Sequence, residues 1–276
     1  MTEAVFSFSP WSTIQDGGPG GAGNRILRWH EDGSTALLKL YFRRTPWPKE
    51  MLKRATCGPV EARLGVTAEE RCQIERDHLS LWHDAGFCVP KLLTLPLPSG
   101  TETRTANWME YLDGPLLSGW IANPDLSVPE KTALLARLAG EWGARHQRGV
   151  DSEDVRFFIE HAGLKHVVLS DERLVSIDLE TRFHPKLCPW SALARETSSV
   201  LRSIWRHAPG DFDVLARSFV DHHPRPELLL RAARRGLEER GLVARIRRST
   251  HRRQSDGGSK TEMLGWLHDA VEHRAP

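Results

Sequence analysis

The sequence predicts an α+β protein with two unlike lobes. A small N-terminal lobe of β-strands with one helix would occupy residues 1–112, and a larger, mainly helical C-terminal lobe would occupy residues 113–276. Strand-like runs concentrate in the first part, amphipathic helical stretches dominate the second, and no internal repeat of solenoid length is present. Two unlike layers commonly leave a cleft between them, so we expect the functional site there.

The N-terminal lobe begins with a glycine-rich segment, QDGGPGGAGN, at residues 15–24. Two strand-like runs follow it, Arg25–His30 and Thr35–Phe42. Between them stands the pair Asp-Gly, which is typical of a hairpin turn because both residues tolerate positive φ. The next stretch, residues 43–60, contains three prolines and is interpreted as an irregular insertion.

A helix is predicted over residues 67–85. Thr67 and Glu70 have the spacing of a capping box, and Gly86 is placed to end the helix. The runs V-P-K-L-L-T-L-P-L and N-W-M-E-Y-L then indicate two short strands, the first of them interrupted by proline.

The second half is predicted to be helical apart from one small set of strands. Apolar residues recur on one face of a helix from Pro129 to about Arg148. The runs Val155–Ile159, Val167–Leu169 and L-V-S-I-D are expected to be extended, and the chain beyond residue 190 is expected to be helical.

Composition narrows the function classes. The net charge of +2 argues against a general nucleic-acid binder. The sequence contains no run of eighteen apolar residues, so no membrane span is predicted. The first residues lack the pattern of a secretory signal. The four cysteines form no C-x-x-C pair, so we expect no zinc site, and scattered reduced thiols favour a cytoplasmic location.

Two features of the first lobe could bind phosphate. Gly18, Gly20 and Gly23 form a G-x-G-x-x-G pattern, whose backbone amides can approach phosphate oxygens, although a flexible linker would look the same. Lys39 lies inside the apolar run A-L-L-K-L-Y. It would direct a cation toward the α and β phosphates of a nucleotide, or it faces outward from an alternating strand.

Three further positions complete a candidate nucleotide site. Glu75, in the middle of the predicted helix, is the best candidate to hold Lys39, although it could be a solvated helix charge. The connector M-E-Y-L-D-G could offer the backbone of Glu110 and Leu112 to an adenine edge. Asp178, at the end of L-V-S-I-D, has the hard oxygens that suit Mg²⁺, or it caps a turn.

The order of these features resembles that of the protein-kinase superfamily over roughly residues 17–205. The runs A-G-F-C-V-P-K-L-L, M-E-Y-L-D-G and I-D-L-E are similar to patterns of bacterial lipopolysaccharide-core (Kdo and heptose) kinases and of RIO-like and aminoglycoside-phosphotransferase-like enzymes. This resemblance implies a two-lobed kinase-like fold and ATP and Mg²⁺ as cofactors. It also implies a hydroxyl acceptor, such as a sugar of the lipopolysaccharide core.

The catalytic-loop region, residues 157–180, departs from the pattern of these families. There an aspartate base stands five residues before an asparagine or histidine; here His166 takes the second place and His161 the first, with Glu160 beside it. Either Glu160 or His161 accepts the proton and His166 assists Asp178 with the metal, or the chain is a pseudokinase that binds nucleotide without transfer. Alternatively, the two histidines only hydrogen-bond within a tight loop.

Two weaker hypotheses concern other residues. Asp154 could be the base only if an insertion follows it, which would make its distance in sequence from Asp178 too long for the family. The arginine-rich stretch 231–253 reads as a solvated helix or as a surface for an anionic partner, such as a lipid head group, a sugar phosphate or RNA.

Overall fold

A computed structural model describes residues 10–17, 23–43, 48–49, 51–52, 63–238 and 258–273. The strands are β1 (Trp11–Gln15), β2 (Arg25–Glu31), β3 (Ser34–Leu40), β4 (Arg63–Leu64), β5 (Leu92–Leu93), β6 (Ala106–Glu110), β7 (Val167–Ser170), β8 (Arg173–Ser176) and β9 (Arg182–Phe183). The helices are α1 (Ala68–Asp84), α2 (Leu117–Ala122), α3 (Val128–Asp151), α4 (Pro189–His207), α5 (Phe212–Asp221), α6 (Pro226–Glu238) and α7 (Lys260–Glu272). The α+β prediction is confirmed, with strands concentrated before helices.

The first part of the chain forms a five-stranded antiparallel sheet in the order β1-β2-β3-β6-β5. Asp32 and Gly33 take φ values of 48° and 76°, which confirms the predicted hairpin between β2 and β3. β3 is central, and its register places Lys39 between Ile26 of β2 and Asn107 of β6. A lysine on a central strand has neighbouring strands on both sides, so its side chain is confined to one face of the sheet.

Helix α1 begins with the predicted capping box. The hydroxyl of Thr67 accepts the Glu70 N–H at 3.1 Å, and the Glu70 carboxylate accepts the Thr67 N–H at 3.3 Å. Gly86 follows the helix with φ +82°. The buried face of α1 includes Arg71 and Glu75 beside its apolar residues. Charged groups are seldom buried without partners. We therefore expect polar partners for Arg71 and Glu75 in the elements that pack against this face.

The helical part is built around α4, whose residues are mostly buried. Helices α2, α6 and α7 contact it, while α3 packs against α5. One apolar core continues from Trp82 of α1 and Met109 of β6 into these helices. The sheet and the helices are therefore packed together, and the division at residues 112 and 113 stays a proposal. Among the described residues, no helix is long and apolar enough to cross a membrane.

The prediction of an extended run at Val155–Ile159 is wrong for its first three residues, which form a turn of 3-10 helix. The side chain of Asp154 caps this turn by accepting the Arg156 N–H at 3.0 Å. A local cap thus outweighs the apolar, β-branched character of the run. The irregular insertion predicted at residues 43–60 lies mostly outside the described residues.

Candidate active site

Lys39 stands at the centre of the site, with only 3% of its surface exposed. Its Nζ lies 2.8 Å from Glu75 Oε2, 2.7 Å from Asp178 Oδ1 and 3.5 Å from Glu180 Oε2. Burial opposes its positive charge, but the attraction of the three carboxylates outweighs burial and raises the pKa of Lys39 above its usual value. The structure therefore brings together a strand lysine, a helix glutamate and an aspartate from distant parts of the chain.

Glu75 is held by three groups. Besides Lys39, it accepts the hydroxyl of Tyr41 and the backbone N–H of Leu179, the latter at 3.1 Å. Burial raises the pKa of Glu75, against the pull of Lys39. Because it bonds Lys39 and the residue after Asp178 together, Glu75 positions both sides of the site.

A second buried layer supports this centre and was not predicted from the sequence. Arg71 Nη1 lies 3.3 Å from Glu180 Oε2 and donates to Asn24 Oδ1 at 2.6 Å. The Asn24 amide in turn donates to Glu180 Oε2. A signal for Arg71 did exist, since it precedes Glu75 by four residues and so shares its helix face. Glu180 stands in the I-D-L-E run.

Asn24 also closes the stem of the glycine-rich loop. Its carbonyl accepts the Gln15 side chain at 3.0 Å, and a Cβ added to Gly17 would stand 2.2 Å from the same oxygen. Gly23 has φ 148°, in the region that favours glycine. Gly18 and Gly20 lie outside the described residues. The described stem of the loop thus lies beside the buried charges.

Asp178 is more open than the other two carboxylates, with 36% of its side chain exposed. It follows β8 by two residues and has φ 61°, which is uncommon for a residue with a side chain. Its Oδ2 lies 3.3 Å from His166 Nδ1, and Ile177 donates its N–H to the His166 carbonyl at 2.9 Å. Burial lowers the pKa of His166 to about 4 against the opposing charge of Asp178, so the imidazole is neutral near pH 7.

Glu160 and His161 lie on a tight loop near Asp178. His161 Nε2 is 2.6 Å from Glu160 Oε2, and the Thr181 hydroxyl donates to the same oxygen at 3.4 Å. The His161 side chain is 52% exposed and that of Glu160 only 15%. The two side chains are therefore in contact with each other, and His161 is the one that is more accessible to solvent. Asp154, the weaker hypothesis for a base, uses both carboxylate oxygens on Arg156.

The base of this loop is anchored to α4, which the sequence did not reveal. Glu196 accepts the Ile159 N–H at 2.9 Å, and Arg145 bonds to both Glu196 and the Phe157 carbonyl. All the charged groups of this anchor are buried. The guanidinium lies 4.5 Å from the centre of the Trp82 ring, a cation–π contact that further restricts it.

The connector after β6 carries the two positions predicted to face adenine. The Glu110 N–H donates to the Lys91 carbonyl oxygen at 2.8 Å, and the Glu110 carboxylate lies 3.2 Å from the Arg173 guanidinium. Leu112 is half-buried. Gly114 is required by close packing, because an added Cβ would stand 1.9 Å from the Leu169 carbonyl oxygen. Contact of Glu110 and Leu112 with a base stays a prediction.

The residues present fit a Mg²⁺ ion bound largely through nucleotide phosphates. No group of three or more metal-ligating side chains occurs in the part of the chain that is described. Glu75 and Glu180 are buried against cations, which leaves Asp178 as the open carboxylate. One carboxylate together with phosphate oxygens and water is a common way for proteins to hold Mg²⁺.

Comparison with known proteins gives a likeness of fold. No protein-family model and no curated protein sequence matches the chain. Among solved structures, WaaP in complex with acyl carrier protein is 16% identical with a TM-score of 0.42, covering 91% of this chain and 84% of that one. The PknI kinase domain of M. tuberculosis is 14% identical with a TM-score of 0.45, covering 99% and 100%. A protein of Ralstonia eutropha assigned as an aminoglycoside phosphotransferase is 14% identical with a TM-score of 0.44, covering 97% and 92%. The chain is similar to these three structures at 14–16% identity, a likeness that concerns the fold alone.

Proposed function

We propose that this protein is an ATP- and Mg²⁺-dependent phosphotransferase that acts on a hydroxyl group. The observation that supports the proposal is the contact of the Lys39 ammonium with both Glu75 and Asp178. In this arrangement one carboxylate holds a buried cation, and a second, more open carboxylate faces it. Enzymes that transfer phosphoryl groups use such an arrangement to orient a metal-bound triphosphate.

The nucleotide would lie between the sheet and the helical part. Lys39 would hold the α and β phosphates, with Glu75 keeping its ammonium in place. Backbone amides would cover the phosphates, and the connector backbone would meet the adenine. The residues assigned to these two backbone roles are Gly18, Gly20, Gly23, Glu110 and Leu112.

Asp178 would hold Mg²⁺, with His166 assisting. A bound Mg²⁺ neutralises phosphate charge and orients the γ-phosphoryl group. The chain's own part is to keep the Asp178 carboxylate directed at this position. Its unusual φ and its contact with the neutral His166 ring both restrict where its oxygens point.

Transfer would join the acceptor oxygen to the γ-phosphorus and break the bond from that phosphorus to the β–γ bridging oxygen, releasing ADP. The proton of the acceptor hydroxyl would pass to Glu160 or His161. His161 is the accessible member of the pair, and Glu160 would hold its ring through the 2.6 Å contact. An acid–base group of this kind contributes roughly 10²–10⁴-fold to a rate.

A pseudokinase is the second candidate, and a specific observation favours it. The position expected to hold an aspartate base is His161, and the neighbouring Glu160 is already engaged by His161 and Thr181. Nucleotide binding by Lys39 and Asp178 does not require that base. The protein would then bind nucleotide, or a partner, without transfer.

The acceptor and the partners are proposed from the resemblance alone. A sugar or another hydroxyl compound is the expected acceptor, in a cytoplasmic setting. Of the arginine-rich stretch 231–253, the described part ends at residue 238. There Arg231 lies over the Trp190 ring at 4.0 Å and Arg234 pairs with Glu272 at 2.9 Å. An anionic partner at this stretch stays a proposal.

Calorimetric titration with ATP, with and without Mg²⁺, tests the nucleotide site. Wild type is compared with Asp178→Asn and with Arg148→Gln, which changes an exposed arginine outside the site. We expect metal-dependent binding in wild type and Arg148→Gln, and loss of the metal dependence in Asp178→Asn. Equal, metal-independent binding in all three would refute the assignment of Asp178.

A measurement of turnover distinguishes the phosphotransferase hypothesis from the pseudokinase hypothesis. ADP release is measured with a panel of hydroxyl acceptors for wild type, Glu160→Gln and His161→Ala. Turnover that survives Glu160→Gln but falls at least roughly 100-fold in His161→Ala identifies His161 as the base. ATP binding without turnover on any acceptor favours the pseudokinase.

A further inference from the structure

One face of α4 presents cations and hydroxyls beside the proposed catalytic loop. Ser199, Arg202, Ser203 and Arg206 follow one another at helical spacing and share this face. Arg206 is exposed and the other three are half-buried, whereas most of the helix is buried in the core. This face is therefore accessible to a ligand along part of α4.

The face touches the loop that carries the site. The Leu164 N–H donates to Ser203 Oγ at 3.0 Å. A Cβ added at Gly163 would have Ser203 Oγ at 3.7 Å and both His166 Cδ2 and Lys165 Cγ at 3.8 Å. His166 in turn contacts Asp178. The α4 face therefore lies beside the loop segment at residues 163–166, and the His166 ring stands between this segment and Asp178.

Positive charge accumulates on this surface, in a basic patch defined by Lys165, Arg202 and Arg206. Arg202 and Arg206 stand four residues apart on α4, so their side chains are neighbours on one face of the helix. Burial, together with the charge of Arg206, lowers the pKa of Arg202. In the described ranges, neither Lys165 nor Arg206 forms an ion pair with a carboxylate. Like charges held together in this way are stabilised when an anion binds between them.

We propose that the basic patch binds the acceptor, and that the acceptor is a small hydroxyl compound bearing a phosphate or carboxylate group. This inference rests on the proposed function, because it assigns the anion a place next to the transferred phosphoryl group. The patch consists of three basic residues, and the net charge of the chain is only +2. A small anion therefore fits it better than a polyanion such as RNA, whose binding requires an extended basic surface.

The first test compares probes on wild-type protein. Affinities are measured by calorimetry, with and without a non-hydrolysable ATP analogue and Mg²⁺, for glucose 6-phosphate, glucuronate, glucose and glucosamine. We expect at least one anionic sugar to bind roughly tenfold or more tightly than glucose, with glucosamine weakest, and its affinity to fall with added salt. Comparing glucose 6-phosphate with glucuronate shows whether the patch prefers a phosphate or a carboxylate group. Equal affinity for all four overturns the proposal, as does binding of RNA or anionic vesicles without binding of either anionic sugar.

The second test removes the charges. Lys165→Gln with Arg206→Gln is compared with Arg148→Gln with Arg217→Gln, a control that removes the same charge from exposed positions on α3 and α5. We expect the first variant to bind the anionic sugar about tenfold more weakly and the control to bind as wild type does. An equal loss in both overturns the site. Failure of the ATP analogue to bind wild type refutes only the proposed function, since the preference for anions is measured without nucleotide as well.

Discussion

At the scale of single residues, the site is a buried arrangement of five charges. Two cations, Lys39 and Arg71, meet three carboxylates, Glu75, Asp178 and Glu180. Such groups are stable in the interior only while each keeps its partners, because an unpaired buried charge is strongly unfavourable. The carboxylates exceed the cations by one, and Asp178 is the one that remains partly open. A metal ion at Asp178 would offset this excess.

Replacing Lys39 by Met should destabilise the protein by roughly 3–5 kcal/mol, because it leaves the buried Glu75 without its cation. It should also abolish ATP binding. Adding Glu75→Gln should restore part of the stability, since the orphaned charge is then gone, but none of the binding. Urea unfolding and calorimetry measure the two effects. Recovery of ATP affinity in the double variant would show that Lys39 has only a structural role.

Replacing Glu180 by Gln should cost about 1–3 kcal/mol of unfolding free energy, because Arg71 loses a charged acceptor while Asn24 keeps a polar one. ATP affinity should fall less than in the Lys39 variant, since Lys39 retains Glu75 and Asp178. The matched change Glu172→Gln lies on the exposed β7–β8 turn and should alter neither quantity. A loss in Glu180→Gln no larger than in this control would mean that the second layer does not support the site.

At the scale of elements, close packing places the connector and the loop. Helix α1 is set by its capping box, and the base of the catalytic-loop region is set by Glu196 of α4. The connector between β6 and α2 approaches β7 so closely at Gly114 that no side chain fits. The contacts at Gly114 and at Glu196 join segments far apart in sequence, so the connector and the loop are positioned by their neighbours rather than by their own propensity.

Replacing Gly114 by Ala should therefore force the connector away from β7, at a cost of roughly 1–3 kcal/mol, the range for overpacked sites. ATP affinity should fall with it if the connector meets adenine. Gly140→Ala is the control, because an added Cβ there meets nothing within 4 Å and α3 should gain about 1 kcal/mol. Thermal unfolding and calorimetry measure both. Unchanged nucleotide affinity in a destabilised Gly114→Ala protein would remove the connector from the site.

At the scale of the whole molecule, the buried ion pair of Arg145 and Glu196 connects stability to pH. Burial by itself would raise the pKa of Glu196, but Arg145 and His146 outweigh it and hold this pKa at about 2. The unfolded chain therefore binds this proton more readily than the folded one. The pair contributes its full stability above the ordinary glutamate pKa of about 4.5, and the contribution is lost as the pH falls toward 2.

Glu196→Gln should flatten that part of the acid-unfolding profile. At pH 7 the variant should be less stable by roughly 3–5 kcal/mol, because Arg145 is left buried without its carboxylate. Near pH 2 the difference between variant and wild type should shrink. Urea unfolding at pH 7, 5 and 3 measures the trend. A difference that stays constant over this range would show that Glu196 does not titrate with folding.

The sequence by itself determined the features whose signals are local. The hairpin after β2, the capping box of α1, the end of that helix at Gly86 and the helical character of the second half all depend on residues within a few positions of one another. The order of the glycine-rich loop, lysine, glutamate and aspartate also identified residues that the structure brings together. Gly18 and Gly20, which lie outside the described residues, stay predictions.

Only the tertiary structure decided which partners hold the buried charges. Asn24 and Arg71 are 47 residues apart, and Arg71 and Glu180 are 109 apart. No local pattern encodes such pairs, because they form only when the sheet, α1 and the segment after β8 pack together. The same holds for Glu196 and the Ile159 amide, and for Ser203 beside the proposed catalytic loop. Propensity and capping act over a few residues, whereas the pairing of buried polar groups is a property of the packed core.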